Sequence, residues 1–282
     1  VAEYEKHFNC PVHFDAKEQS LVFAADILAT PKYVQPQLAV SFLLRYEAIL
    51  ARSSGWKPLE FLGKSVIEIG AGPMLGWGPL SVFRGADPHV CFEPRFNPQI
   101  FEEPQLIDRY FRPQYKDLCA IFGTIHSFEE FMALLSDRVR IERSPFQTGM
   151  YQHEFDIALS NSCLEHVDDL EEMLKGLARA LKPDAKFLHL VDFGSHRAET
   201  NPFHGMYGQT TTEYFAKFGH KINLKRAPEM LNYFAGAGFD VDLVPYYSSP
   251  EGFNETIIPF WSDRFDDETL FLKTALFASR NK

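Results

Sequence analysis

Residues Ser65-Val-Ile-Glu-Ile-Gly-Ala-Gly-Pro-Met-Leu-Gly76 run a short apolar stretch straight into a glycine turn, and no other segment restricts the fold as much. Val66, Ile67 and Ile69 give the pattern of a strand covered on both faces, as in parallel sheets sandwiched between helices. Gly70 and Gly72, with Ala71 between them, permit positive φ and close approach of the backbone to a ligand. Glu68 lies near the carboxyl end of the strand, where open α/β sheets bind ligands, and is expected to meet a positively charged group there.

Two nucleotide-binding turns compete for this segment. A dinucleotide fingerprint needs glycine at the first, third and sixth positions, but the sixth is Leu75, Gly76 comes one residue late and Pro73 follows the second glycine. That register disfavours an NAD-dependent oxidoreductase. A P-loop is excluded because no Gly-Lys-Ser/Thr follows.

Two later segments extend the pattern. Beyond a helix expected through Trp77, Leu80, Val82 and Phe83, the strand Val90-Cys-Phe-Glu-Pro94 ends in Glu93, about 20 positions past the turn, where a carboxylate accepts hydrogen bonds from ribose hydroxyls. Phe155-Asp-Ile-Ala-Leu-Ser-Asn-Ser-Cys-Leu-Glu-His-Val167 changes from strand to helix periodicity near Ser160 to Ser162. Asp168, Asp169, Glu171 and Glu172 load the first turns of a helix with acid, Lys182-Pro183 ends it, and Lys186-Phe-Leu-His-Leu-Val-Asp192 is the next strand.

An acid before a glycine turn, an acid closing the second strand, and Ser160-Asn161 leading through Leu164-Glu-His-Val167 to Leu181-Lys-Pro183 together resemble class I S-adenosylmethionine-dependent methyltransferases, in particular the type 11 and type 12 families. The resemblance covers roughly residues 60 to 245. It implies an α/β, Rossmann-like, doubly wound, seven-stranded and mostly parallel sheet, with the sixth strand at Val241-Asp-Leu-Val244 and a late antiparallel strand at Thr274-Ala-Leu-Phe-Ala-Ser279. It also implies S-adenosylmethionine as cofactor, with S-adenosylhomocysteine as product, held by Glu68, Gly70, Ala71, Gly72, Glu93, Pro94, Ser144, Asn161 and Ser162. Val139-Arg-Ile-Glu-Arg-Ser-Pro-Phe146 departs from the family spacing, with Glu142 to Ser144 as adenine neighbours.

Residues 59–282 are therefore expected to form the methyltransferase domain and 1–58 an N-terminal extension. In the extension, a strand-like stretch at Leu21 to Phe23 precedes helix periodicity from Leu38 to Leu50, and Arg52-Ser-Ser-Gly55 marks a boundary. The run from Phe8 to Phe23 is similar to part of an effector domain of some transcription regulators, but no helix-turn-helix signal accompanies it. A cap or an arm that pairs two copies into a homodimer is the expectation. Residues 96–137 exceed one helical crossover and are expected to be an insertion over the site.

A formal charge of −10 argues against a nucleic-acid partner, whose phosphates demand cationic neutralisation. The four cysteines, at 10, 91, 119 and 163, lack metal-like spacing and are expected to be reduced core thiols. Without an apolar run near 18 residues or a basic-apolar leader, the expectation is a cytoplasmic protein that does not enter membranes.

The resemblance implies methyl transfer to a small-molecule or sugar-containing acceptor, O- in preference to N-methylation. The alternative is a non-catalytic, S-adenosylmethionine-binding regulatory or scaffold protein. A neutral acceptor needs a base, and His166, Asp192, His196 and His204 are the candidates. Ser160-Asn161 and Asp192-Phe193 do not match the acids of metal-assisted catechol-type enzymes, and the irregular 192, 196, 204 spacing predicts no metal site. Residues 194–228, with Phe203, Tyr207, Tyr214, Phe215 and Phe218, read as an aromatic lid that either stacks on a sugar or planar ring or packs on itself. Asp192-Phe-Gly-Ser-His-Arg197 resembles a bacterial subgroup associated with modification of cell-surface sugars or small metabolites.

Overall fold

The computed structural model of the chain describes residues 36–197 and 201–281. The strand expected at Leu21 to Phe23, the effector-like run and the greater part of the pairing arm lie outside the described residues.

The strands are β1 Val66–Ile69, β2 His89–Phe92, β3 Val139–Glu142, β4 Phe155–Asn161, β5 Leu181–Asp192, β6 Phe239–Ser248 and β7 Leu272–Asn281, and they form one sheet in the order β3-β2-β1-β4-β5-β7-β6. The first five run parallel, while β7 is antiparallel to both β5 and β6. This is the doubly wound arrangement expected, with the late antiparallel strand in place. Strand order reverses between β1 and β4: the chain leaves β1 toward β2 and β3, then crosses back. A crevice outside the carboxyl ends of these strands is where such sheets take ligands.

Alternation along the strands separates two apolar cores. Val66 of β1 with Ile157 and Leu159 of β4 face one side, packed on α1 Pro36–Ser54, α2 Gly78–Phe83, α3 Arg112–Phe122 and α4 Phe128–Arg138 through Leu43, Leu80, Phe83, Leu118 and Phe131. Ile67 and Ile69 with Ala158 and Phe187 face the other side, against α5 Leu170–Ala180 and, after a short α6 Thr211–Phe218, α7 Ala227–Gly236. Helix α5 forms as its sequence requires: the Asp169 side chain caps the Glu172 N–H, and Leu170, Met173, Leu174 and Leu177 are buried on one face. Each such side chain contributes about 1.5–3 kcal/mol of burial.

Two expectations change. Helix α1 puts Leu43, Tyr46 and Leu50 into the first core, so a boundary after residue 58 would cut a packed helix from its sheet. Residues 96–137 are largely helical, and Phe111, Leu118, Phe128, Phe131 and Leu135 bury in that same core. They build the crossover layer between β2 and β3 and are not a separate insertion over the site.

Candidate active site

Gly70 and Gly72 have φ of +74° and +68°, as the turn after β1 requires. The carboxylate of Glu68 does not reach toward a ligand: it is 1% exposed, accepts from the Trp77 N–H at 3.0 Å and pairs with His89 Nε2 at 3.0 Å. His89 Nδ1 is 2.7 Å from Ser81 Oγ, which completes a buried polar chain from β1 through β2 to α2. A Cβ on Gly76 would lie 2.1 Å from Glu68 Oε1, so only glycine lets the turn close over this carboxylate. The partner of Glu68 is thus a histidine of the next strand, and the pair ties down the turn.

Glu93 occupies the complementary position at the end of β2. Its carboxylate accepts from the Gly72 N–H at 2.7 Å and the Arg95 N–H at 2.8 Å, two of about four acceptor sites, and so is fixed beside the turn with capacity left. A Cβ on Gly72 would meet nothing within 4 Å, so the turn is open on that side. Pro94 follows Glu93 directly. Ser144 lies half-buried just past β3, whose Glu142 carbonyl accepts from the Glu93 N–H at 2.9 Å. Phe146 packs edge-on to Phe92, which brings the segment after β3 back to the sheet.

At the end of β4, Asn161 Oδ1 accepts from the Tyr46 hydroxyl of α1 at 3.1 Å, and Ser162 takes a left-handed φ of +49°. Tyr46 packs edge-on to both Trp77 and Tyr246, giving this corner an aromatic wall. Burial pushes the Cys163 thiol up to about 12, so it stays protonated and does not act as a nucleophile.

One turn further, the structure gathers Glu165, His166, Asp192 and His196. Glu165 is 3% exposed and, among the described residues, neither of its oxygens has a close hydrogen-bond partner; burial together with the Asp192 carboxylate raises it to about 8, against a smaller pull from the backbone N–H groups of Glu165 and Asp192. His166 Nδ1 is 2.6 Å from the Lys221 carbonyl, which only accepts, so that nitrogen carries the proton and Nε2 the lone pair. Burial lowers the His166 pKa, against the pull of that carbonyl. His196, at φ +53°, brings Nε2 to 3.7 Å from Glu165 and 3.6 Å from Asp192. Asp192 is raised by burial but more strongly lowered by His196, Lys273 and the Gly194 N–H, to about 2.

His204 does not join this group; its ring lies against Phe253 instead. The lid aromatics Phe203, Tyr207 and Tyr214 are buried with Met206, Trp261 and Leu270 in a third cluster. Arg226, itself buried, ties the Tyr207 hydroxyl at 2.9 Å to the Phe193 carbonyl at 2.9 Å. Of the two readings of the lid, these three rings pack on one another.

Sequence reasoning missed Tyr46 and Glu165. Tyr46 stands on a helix assigned outside the domain, and the motif around Glu165 carries no mark of how deeply its carboxylate is buried.

A fixed carboxylate thus stands at the end of β2 beside an open glycine turn, at the switch point of the sheet. Among solved structures the chain is similar to a Listeria monocytogenes protein assigned as an S-adenosylmethionine dependent methyltransferase, at 13% identity and TM-score 0.49 over 86% of this chain and 99% of that one. It is also similar to an S-adenosylmethionine dependent methyltransferase from Mesorhizobium loti, at 13% identity and TM-score 0.45 over 79% and 93%. Phosphoethanolamine N-methyltransferase 2 of Haemonchus contortus, in complex with S-adenosyl-L-methionine, aligns at 15% identity and TM-score 0.45 over 93% of this chain and 61% of that one. No curated protein matches the sequence. The family described as methyltransferase domain matches residues 41–244, most of the chain. The chain therefore belongs to the methyltransferase-domain family.

Proposed function

We propose that the chain methylates a hydroxyl of a small-molecule or sugar-containing acceptor, with the cofactor ribose on Glu93 and the acceptor at the carboxyl ends of β4 and β5. The observation that carries the cofactor half is the Glu93 carboxylate, held by the Gly72 and Arg95 N–H groups beside an open turn. This reading assigns Gly70, Ala71, Gly72 and Pro94 to the cofactor with it, and Asn161, Ser162 and Ser144 to the same ligand.

S-adenosylmethionine supplies the activated methyl on its sulfonium when bound. The chain's own contribution is to hold the acceptor oxygen in line and to manage its proton. Asn161, anchored by Tyr46, and the Trp77 and Tyr246 rings form one wall of the acceptor end. His166, Asp192 and His196 form its polar floor. The histidine and carboxylate groups there favour a hydroxyl, which must lose a proton, as the acceptor. A chain charge of −10 favours a small acceptor over a polyanion.

Isothermal titration with S-adenosylmethionine, S-adenosylhomocysteine and NAD tests the cofactor half. The expected result is micromolar affinity, about −8 kcal/mol, for the first two. Glu93→Ala should weaken both at least about tenfold, the loss of one charge-assisted hydrogen bond or more. Binding of NAD in their place, or an unchanged Glu93→Ala, would overturn the assignment. Production of S-adenosylhomocysteine with hydroxyl acceptors separates an enzyme from a scaffold that only binds the cofactor.

A further inference from the structure

We infer that Glu165, His166 and His196 form a site for one divalent first-row transition ion at the acceptor end of the crevice. One ligand atom from each lies within 4.8 Å of the other two, and the imidazole rings of His166 and His196 stand 4.8 Å apart and steeply inclined. In the sequence Asp192, His196 and His204 stand close enough to be considered together, and their irregular spacing predicts no metal site. Folding keeps His196, replaces His204 with His166, and adds a carboxylate the spacing does not suggest.

Three features separate this cluster from a chance meeting of polar side chains. First, both oxygens of Glu165 are buried and, among the described residues, without a close hydrogen-bond partner. An ionised carboxylate in that state carries a heavy desolvation cost, and a protonated one still leaves its O–H without an acceptor. A cation between Glu165 and the two rings partners the ionised carboxylate and, where the group is protonated, takes the place of its proton, which is released to solvent.

Second, His166 is arranged as a metal-binding histidine is. Its Nδ1–H donates to the Lys221 carbonyl at 2.6 Å, which fixes the tautomer, orients the ring and leaves Nε2 as a lone-pair donor. Third, the loop after β5 places His196 Nε2 3.7 Å from Glu165 Oε1, with Asp192 Oδ1 at 3.6 Å as a further carboxylate. Asp192 is itself held by Lys273 and the Gly194 N–H, so it serves as an outer partner.

Two imidazole nitrogens and one carboxylate oxygen suit zinc, manganese, iron or cobalt, and three protein ligands leave positions open for an exogenous oxygen. An acceptor hydroxyl in such a position would lose its proton more readily. That role rests on the O-methylation reading; the binding of the ion does not.

Co²⁺ titration of the chelator-dialysed full chain, followed by visible d–d absorption, tests the site. The expected result is a saturable band with roughly micromolar or tighter affinity, displaced by Zn²⁺. His196→Ala, in an exposed loop position, and Glu165→Gln should each weaken Co²⁺ at least about tenfold, the loss typical even of an outer partner. His220→Ala, outside the cluster, should keep the wild-type affinity. No saturable band, or a band equally strong in His196→Ala, overturns the site. S-adenosylhomocysteine titration of the same preparations reports the cofactor crevice separately: cofactor binding without Co²⁺ binding removes the ion and keeps the methyltransferase reading, and the reverse removes the cofactor assignment alone.

Discussion

Glu68 and Glu165 are both buried carboxylates near the carboxyl edge of the sheet, 1% and 3% exposed, yet their surroundings are opposite. Glu68 is bonded to Trp77 and His89 and holds the turn after β1 to its neighbours. Glu165 has no close hydrogen-bond partner among the described residues and faces two histidines. A buried acid that is fully bonded reports on how the scaffold is held, whereas one left unbonded reports on what the scaffold is meant to hold.

The comparison breaks most visibly at Glu68. Glu68→Ala strands the Trp77 N–H and His89 in the core, and is expected to destabilise the fold by about 3–5 kcal/mol, as removal of one partner from a buried pair does. Urea denaturation measures it. A loss under about 1 kcal/mol would mean that the polar chain through His89 and Ser81 does not hold the turn.

Glu165→Met should act with the opposite sign. In metal-free protein it replaces an unbonded carboxylate with an apolar side chain of similar length, and stability should rise by about 1–3 kcal/mol, the cost of an unsatisfied buried group. The same measurement decides it, and a clear fall in stability would show that the carboxylate is held by the fold itself. Cofactor affinity should stay close to wild type, since Glu93 lies on a different strand end.

How much of this was legible in the chain follows the same division. The junction at residues 65–76, the Glu93 strand end and the Asp169-capped helix after β4 are local patterns, and each is read correctly because period and spacing are written in adjacent residues. The sheet, with its late antiparallel strand, follows from the family resemblance those patterns carry. The partners of Glu68 are not local: His89 is 21 positions away, and only the pairing of β1 with β2 brings the two together. Likewise Tyr46 reaches Asn161 across 115 positions, from a helix whose periodicity was visible but whose destination was not. His204 fails as a candidate for the same reason, because loop spacing says nothing of which ring turns toward Phe253.

The smallest expected effect concerns a second pair, His89 and His189, both fully buried. His89 bonds through both ring nitrogens, whereas among the described residues His189 has only Ser160 Oγ at 2.5 Å on Nδ1, with Nε2 left without a partner. Burial lowers the His189 pKa to about 3, so the ring is neutral in the folded chain at every pH where the protein would be handled. In the unfolded chain it takes a proton near its ordinary value of about 6.5. The contribution to stability is therefore complete above that value and is lost progressively as pH falls from about 6.5 toward 3. Between pH 7 and 5.5 the loss should be about 1 kcal/mol. His189→Leu should flatten that slope by the same amount when the two proteins are denatured side by side, even if its absolute stability differs. An unchanged slope would mean that Nε2 keeps its proton affinity in the fold, and that His189 belongs with His89 among the bonded groups.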